Sequence, residues 1–203
     1  MLTKAEFALR IKNACLSVIG AEAELTEIDA KFGDADHGFT KAKVCNAIIT
    51  AIEESDGGIQ TLLDDAAMAV MSINGGSAVP LWNTWLDGMQ EGAPEAEEID
   101  VPGIQAIFAR AFEELDEMSG AKVGDKTMMD ALIPASEAIA AYAGDDVQAL
   151  FAAAAQAAAA GAENSKNFPS NFGRAKSYGA KTIGTPDAGA MSRSCFFQGL
   201  AKE

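Results

Sequence analysis

Apolar side chains recur every three or four positions through segment after segment of this chain, and period-two alternation of apolar and polar residues is nearly absent. That spacing matches an α-helix of about 3.6 residues per turn rather than the pleat of a strand, so the core must be built from helix faces. Thr3-x-x-Glu6 reads as a capping box, and Phe7, Ile11, Ala14 and Val18 then share a face, which predicts a helix from about 3 to 20. Val44, Ile48, Ala51 and Ile52 form a second stripe, ended by Asp56-Gly57-Gly58; Ile59, Leu62, Leu63, Ala66, Val70 and Ile73 form a third. A fourth helix over about 77 to 91 carries Leu81, Trp85 and Met89, and a fifth with Ile104, Ile107, Phe108, Ala111, Phe112 and Leu115 follows the Pro102-Gly103 break. A sixth is expected near 127 to 142. The seventh, capped by Asp145 and anchored by Val147, Leu150 and Phe151, holds an alanine tract bounded by Gly144 and Gly161, and the eighth starts near Ala188. Eight helices without a credible strand predict an all-α bundle, in which the small alanines allow close helix approach.

The chain has 203 residues, a length that fits a single domain over 1–203. Thirty acidic against fifteen basic side chains give a net charge of -15, which argues against nucleic acid or an anionic membrane as principal partner. Cys15, Cys45 and Cys195 stand far apart without metal or redox spacing and read as reduced core thiols. The start runs amphipathic rather than signal-like, and no apolar run reaches the roughly 20 residues of a membrane span, so a soluble, cytoplasmic protein is expected.

Chemistry concentrates between the helices. Asp29, Asp34 and Asp36 lie within a few residues of His37, the single histidine, with Gly33 and Gly38 flanking the Asp-x-Asp core. Hard cations such as Mg²⁺ take oxygen ligands, and two aspartates two positions apart converge only across a turn, which the glycines permit. An acidic loop capping a helix is the competing reading. Segment 161 to 187 holds too many glycines and prolines for a helix and reads as a long loop. In it, ahead of Asp187, Lys166, Arg174, Lys176 and Lys181 face only Glu163, a contrast that suits an anion or merely balances the global charge. Gly75-Gly76-Ser77-Ala78 opens the fourth helix, where free amides suit phosphate, and Asp125 or Thr127 can cap the sixth. Singly, each of these loops is equally well a helix-helix turn. Together with the acidic cluster they suggest a Mg²⁺-nucleotide.

Four blocks resemble the nucleotide-binding L subunit of dihydroxyacetone kinases: Asp29 with Gly33 to Gly38, Gly75 to Leu81, Gly124 to Leu132, and Gly173-Arg174-Ala175 with Gly184 to Ser192. The resemblance implies a barrel of eight amphipathic, antiparallel helices, arranged up and down, with Mg²⁺ and ADP or ATP at one end. It implies that Asp29, Asp34 and Asp36 hold Mg²⁺, with two ions expected. His37 would lie beside the phosphates, and Gly76, Ser77 and Ala78 would offer amides to them. Arg174 would contact phosphate or cap the nucleotide, and Thr127, Met128, Asp187 and Gly189 would line the adenine and ribose side. Met128 as plain core is the alternative. Where the family commonly has Gly-Gly-Ala-Ser-Gly-Pro-Leu and Asp-Pro-Gly, this chain reads Gly-Gly-Ser77-Ala78-Val79-Pro-Leu and Asp187-Ala188-Gly189. By the same resemblance the activity is phosphoryl transfer to dihydroxyacetone or a related short ketose or polyol. The acceptor would be held by a separate K-type subunit, so no catalytic residue is assigned to this chain and it is expected to be inactive alone. A phosphotransferase-system protein as donor and a homodimer are compatible with it. A regulatory module contacting a transcription regulator, or a degenerate bundle, are the other readings.

Overall fold

A computed structural model of the chain describes residues 1–76 and 78–203. Nine α-helices account for most of them: α1 Lys4–Gly20, α2 Glu22–Ala30, α3 His37–Glu54, α4 Ile59–Met71, α5 Ala78–Gly92, α6 Val101–Ser119, α7 Met129–Ala141, α8 Val147–Asn164 and α9 Ala188–Leu200. Two-residue strands β1 Leu2–Thr3 and β2 Glu98–Ile99 pair antiparallel, Leu2 opposite Ile99. α1 packs on α3, and each helix from α3 onward packs on its successor until α9 returns to α1. Eight helices thus close a barrel, and α2 lies outside the ring against α3 and α9.

The expected eight are present, and α2 is the addition. Leu25 is its sole fully buried residue, so it lacks the apolar stripe by which the others declare themselves. Other boundaries moved for local reasons. Pro102 does not break α6 but sits in its first turn, where a missing N–H costs nothing, and Asp100 Oδ1 caps the helix by accepting from Gly103 N at 2.9 Å. Asp146, not Asp145, caps α8, its Oδ1 accepting from Gln148 N at 2.9 Å. Gly161 does not end α8, which runs on to Asn164; a Cβ there would stand 2.0 Å from the carbonyl oxygen of Asp130. That carbonyl is the one Pro134 leaves without a helical donor, so bare glycine lets α8 close on α7 where the ladder is broken. The segment 161 to 187 is accordingly not all loop: 3₁₀ turns occupy Ser165–Asn167 and Arg174–Thr182.

The barrel is filled. Trp82 and Trp85 of α5, Phe108 of α6 and Phe196 and Phe197 of α9 stack edge to face or tilted, with Trp85 and Phe196 centroids 5.3 Å apart. Such pairs add about 0.5–1.5 kcal/mol each to the burial of their area. Arg10 ties α1 to α8 and the chain end, Nη1 donating to Gln148 Oε1 at 2.5 Å and to the Leu200 carbonyl at 3.0 Å. With its axis packed by rings, the barrel leaves its open volume at one end, among the connections entering α3, α5, α7 and α9. No helix among the described residues is long and apolar enough to cross a membrane.

Candidate functional site

At that end lies a cavity of about 800 Å³. Asp29, Asp34, Asp36, His37, Gly76, Ala78, Thr127, Met128, Arg174, Asp187 and Gly189 all line it. Ser77, the remaining residue singled out from the sequence, lies outside the described residues.

The acidic cluster is built by a strained turn. One ligand oxygen from each of Asp29, Asp34 and Asp36 lies within 4.8 Å of the other two. The turn that brings Asp34 and Asp36 together is left-handed at Ala35, with φ of 60°, and not at the glycines on either side. The cost of that conformation for a residue with a Cβ, about 1–3 kcal/mol, is borne at a site where it aims two carboxylates at one point. The glycines serve close approach instead. A Cβ on Gly33 would meet Asp29 Oδ1 at 2.1 Å, and one on Gly38 would meet the Glu22 carbonyl oxygen at 2.1 Å. Asp29 Oδ2 accepts weakly from the amides of Asp36 and His37, at 3.2 and 3.4 Å, so it also caps α3. The cap and cation readings are therefore compatible for one carboxylate. Burial, then the charges of Asp34 and Asp29, push the Asp36 carboxyl above its usual range. Three converging carboxylates that repel one another in this way fit a divalent cation.

Positive groups stand around the cluster. Arg174 Nη2 reaches Asp34 Oδ2 at 2.8 Å. Of the four basic residues read from the loop, Arg174 alone lines the cavity; Lys166 pairs with Glu163 instead. Lys126, also left-handed with φ of 58°, donates through Nζ to the carbonyls of Ser165 at 2.8 Å and Thr185 at 2.5 Å, which holds the long segment against α7. Asp130 accepts from Gly124 N and Thr127 N, both at 2.7 Å, and Thr127 Oγ1 accepts from Met129 N at 3.1 Å, shaping the wall that presents Thr127 and Met128. Opposite, Asp187 Oδ2 caps α9 through Ala190 N at 2.8 Å, and burial pushes its carboxyl up to about 7.

His37 is uncharged. Burial first, then Lys41 and Arg193, drive it down to about 3. Ser192 Oγ donates its proton to the Gly189 carbonyl at 2.9 Å, so at its 3.1 Å contact with His37 it accepts from Nε2–H, leaving Nδ1 bare. Sequence reasoning missed Lys41 and Phe32. Lys41 follows His37 by one helical turn and therefore shares its inward face, a spacing that was readable. The tilted contact of Phe32 with Tyr178, centroids 5.3 Å apart, joins segments far apart in sequence and left no local signal.

The DAK2 domain family matches residues 31–202 of the chain. The chain belongs to the DAK2 domain family. It is similar to L-erythrulose 1-kinase of Mycolicibacterium smegmatis, 33% identical in an alignment of 193 residues, gaps included, that covers 89% of this chain and 32% of that protein. It therefore spans about a third of that relative's length. The PEP-dependent dihydroxyacetone kinase, ADP-binding subunit DhaL, of Escherichia coli K12 is 26% identical over 92% of this chain and 91% of its own. Among solved structures, dihydroxyacetone kinase from C. freundii in complex with AMP-PNP and Mg²⁺ superimposes with a TM-score of 0.71 at 26% identity, over 97% of this chain and 33% of that one. The all-α barrel is thus the fold that this DAK2 chain shares with a longer kinase, and the expected resemblance to the L-subunit family holds.

Proposed function

We propose that this DAK2 domain is the Mg²⁺- and nucleotide-binding unit of a kinase acting on dihydroxyacetone or a related short ketose or polyol. The observation that carries the reading is the convergence of Asp29, Asp34 and Asp36 on one cavity with Arg174 and the two loop walls. The relatives named for ADP binding and for erythrulose phosphorylation, and the structure with AMP-PNP and Mg²⁺, support it.

In this reading the three aspartates hold Mg²⁺, two ions being the expected number, and the metal supplies charge stabilisation to the phosphates. Gly76 and Ala78 offer amides beside the start of α5, the same role falling to Ser77 by resemblance alone, and Arg174, paired with Asp34 here, would be free to contact the phosphates were that carboxylate to hold Mg²⁺. Val79 is β-branched and lies buried as the second residue of α5, so the chain's departure from the family loop is absorbed as helix. Neutral His37 does not supply charge; it positions the start of α9 through Ser192. Thr127, Met128, Asp187 and Gly189 receive the base and ribose. The acceptor sits on a K-type partner subunit, and the nucleotide is either exchanged as ATP or retained as ADP and recharged by a phosphotransferase-system protein.

Calorimetry with Mg²⁺-ADP on the parent chain and on Asp34→Asn and Asp36→Asn tests the nucleotide reading. Binding by the parent and at least tenfold weakening in each variant is the expected result, and no binding by the parent defeats it. Retention of ADP through dialysis selects the recharged mode; free exchange with ATP selects the other. Combining the chain with a K-type protein and dihydroxyacetone or erythrulose tests partner dependence, since turnover by the chain alone would overturn it.

A further inference from the structure

Beneath the cavity two cations are fully buried without a carboxylate partner among the described residues. Lys41 of α3 has no exposed surface, yet it borders the cavity; among the described residues its Nζ finds only the Ala78 carbonyl, at a long 3.4 Å. Arg193 of α9, equally buried, leaves Nε and Nη1 without a partner among the described residues, and its Nη2 meets only Met128 Sδ among them, at 3.6 Å. One ring joins them: Trp82 has Lys41 Nζ 5.2 Å from its centroid and Arg193 Cζ 3.9 Å from it, and Trp85 lies 4.3 Å from the same guanidinium.

Cation–π contacts offset only part of the cost of burying an unpaired cation. Arginine does not escape by losing its proton. Two cations that also repel each other thus stand without an ion pair among the described residues of a chain of net charge -15: burial, then Arg193, pushes the Lys41 ammonium down to about 7, and Asp36 opposes this only from beyond ion-pair distance. Each is separated from the cavity by little, Lys41 bordering it and Arg193 lying behind the flexible thioether of Met128, itself a lining residue.

We propose that the inner wall of the cavity is a subsite for a phosphate-class oxyanion, with Lys41 as its contacting residue and Arg193 as the second cation behind Met128. The anion supplies the missing countercharge, either as the terminal phosphate of a bound nucleotide or as free inorganic phosphate beside it. The subsite stands on the two buried cations and so goes beyond the nucleotide reading.

The chain's two tryptophans are Trp82 and Trp85, so fluorescence excited selectively in tryptophan reports on this place alone. Inorganic phosphate is titrated without Mg²⁺ into the parent chain, Lys41→Met and Arg193→Met, against chloride at equal ionic strength, with melting followed in parallel. The expected result is a saturable fluorescence change and a rise in Tm in the parent, with at least tenfold weaker response in each variant. Without phosphate, both variants should melt at or above the parent temperature, because each loses a buried charge and keeps its bulk. No parent response beyond chloride, or an equal response in folded Lys41→Met, overturns the proposal. Repeating the titration with sulfate at saturating Mg²⁺-ADP separates the sources. A retained response places a free anion beside the nucleotide; a lost one, with Lys41→Met weakening ADP more than AMP, assigns the subsite to the nucleotide's own phosphate. A phosphate response alongside absent Mg²⁺-ADP binding would sink the nucleotide reading and leave this subsite standing.

Discussion

Arg174 Nη2 and Asp34 Oδ2 lie 2.8 Å apart, and through this pair the long segment between α8 and α9 closes onto the acidic turn ahead of α3. Arg174 is largely exposed, so the pair adds little to stability, within the 0–1 kcal/mol or so usual for surface ion pairs. Its consequence is competition, because a guanidinium on Asp34 Oδ2 takes one of the lone pairs open to Mg²⁺ and repels the cation. Arg174→Ala should leave Tm within about 2 °C of the parent, tighten Mg²⁺ binding measured without nucleotide, and weaken Mg²⁺-ADP by roughly tenfold. Calorimetry with each ligand checks it; equal changes for both would show that Arg174 acts only on loop structure.

Gly33 has a stricter requirement than its neighbour Ala35, because a Cβ would stand 2.1 Å from Asp29 Oδ1. Gly33→Ala should displace that carboxylate and weaken Mg²⁺-ADP by more than tenfold, while the barrel core, remote from the turn, keeps the loss of stability to about 1 kcal/mol. Gly76→Ala is the control: a Cβ there meets nothing within 4 Å, so the fold should not register it. Paired melting and binding curves settle the contrast, and normal Mg²⁺-ADP affinity in Gly33→Ala would refute it.

Burial raises Asp187 from 3.8 to about 7. The folded chain then keeps a proton that the unfolded chain has released, so this residue's contribution is fully favourable below about pH 4 and is lost as pH climbs to about 7. Asp187→Asn retains an acceptor for Ala190 N and removes the titration. Relative to the parent, its Tm should therefore rise by a few degrees between about pH 5 and about pH 8 in metal-free buffer. A difference that stays flat over that range would show that Asp187 ionises as an ordinary carboxyl.

Lys126 is the clamp on the same segment, holding the Ser165 and Thr185 carbonyls at its two ends. Lys126→Met leaves the Thr185 carbonyl without this donor, at a cost of about 1–3 kcal/mol where water cannot replace it, whereas the Ser165 carbonyl keeps its bond from Phe168 N at 3.2 Å. Trypsin should then cut after Arg174, Lys176 or Lys181 roughly tenfold faster, since cleavage follows the population of the opened segment. Unchanged cleavage in a folded variant would remove Lys126 from this role.

Much of the barrel was legible because helix periodicity and caps are short-range. Thr3 and Glu6 form the expected capping box, Thr3 N donating to Glu6 Oε2 at 2.8 Å, and α3 starts at His37, where the acidic loop ends. α2 was not legible, because a helix packed outside the ring buries too little to carry a stripe. The extent of α8 was misread for a related reason: Gly161 is a breaker by propensity, but the Asp130 carbonyl opposite it makes a small residue valuable there.

The sequence by itself determined which segments coil and which loops hold carboxylates, amides and arginine, since those properties depend on residues within a turn or two of one another. Only the tertiary structure decided that α9 closes the ring on α1, that Ala35 rather than a glycine takes the left-handed turn, and that Lys41 and Arg193 share one tryptophan under the cavity. Those outcomes depend on distances between residues far apart in the chain, which are set when the helix faces compete for one core and the barrel closes around its aromatic rings.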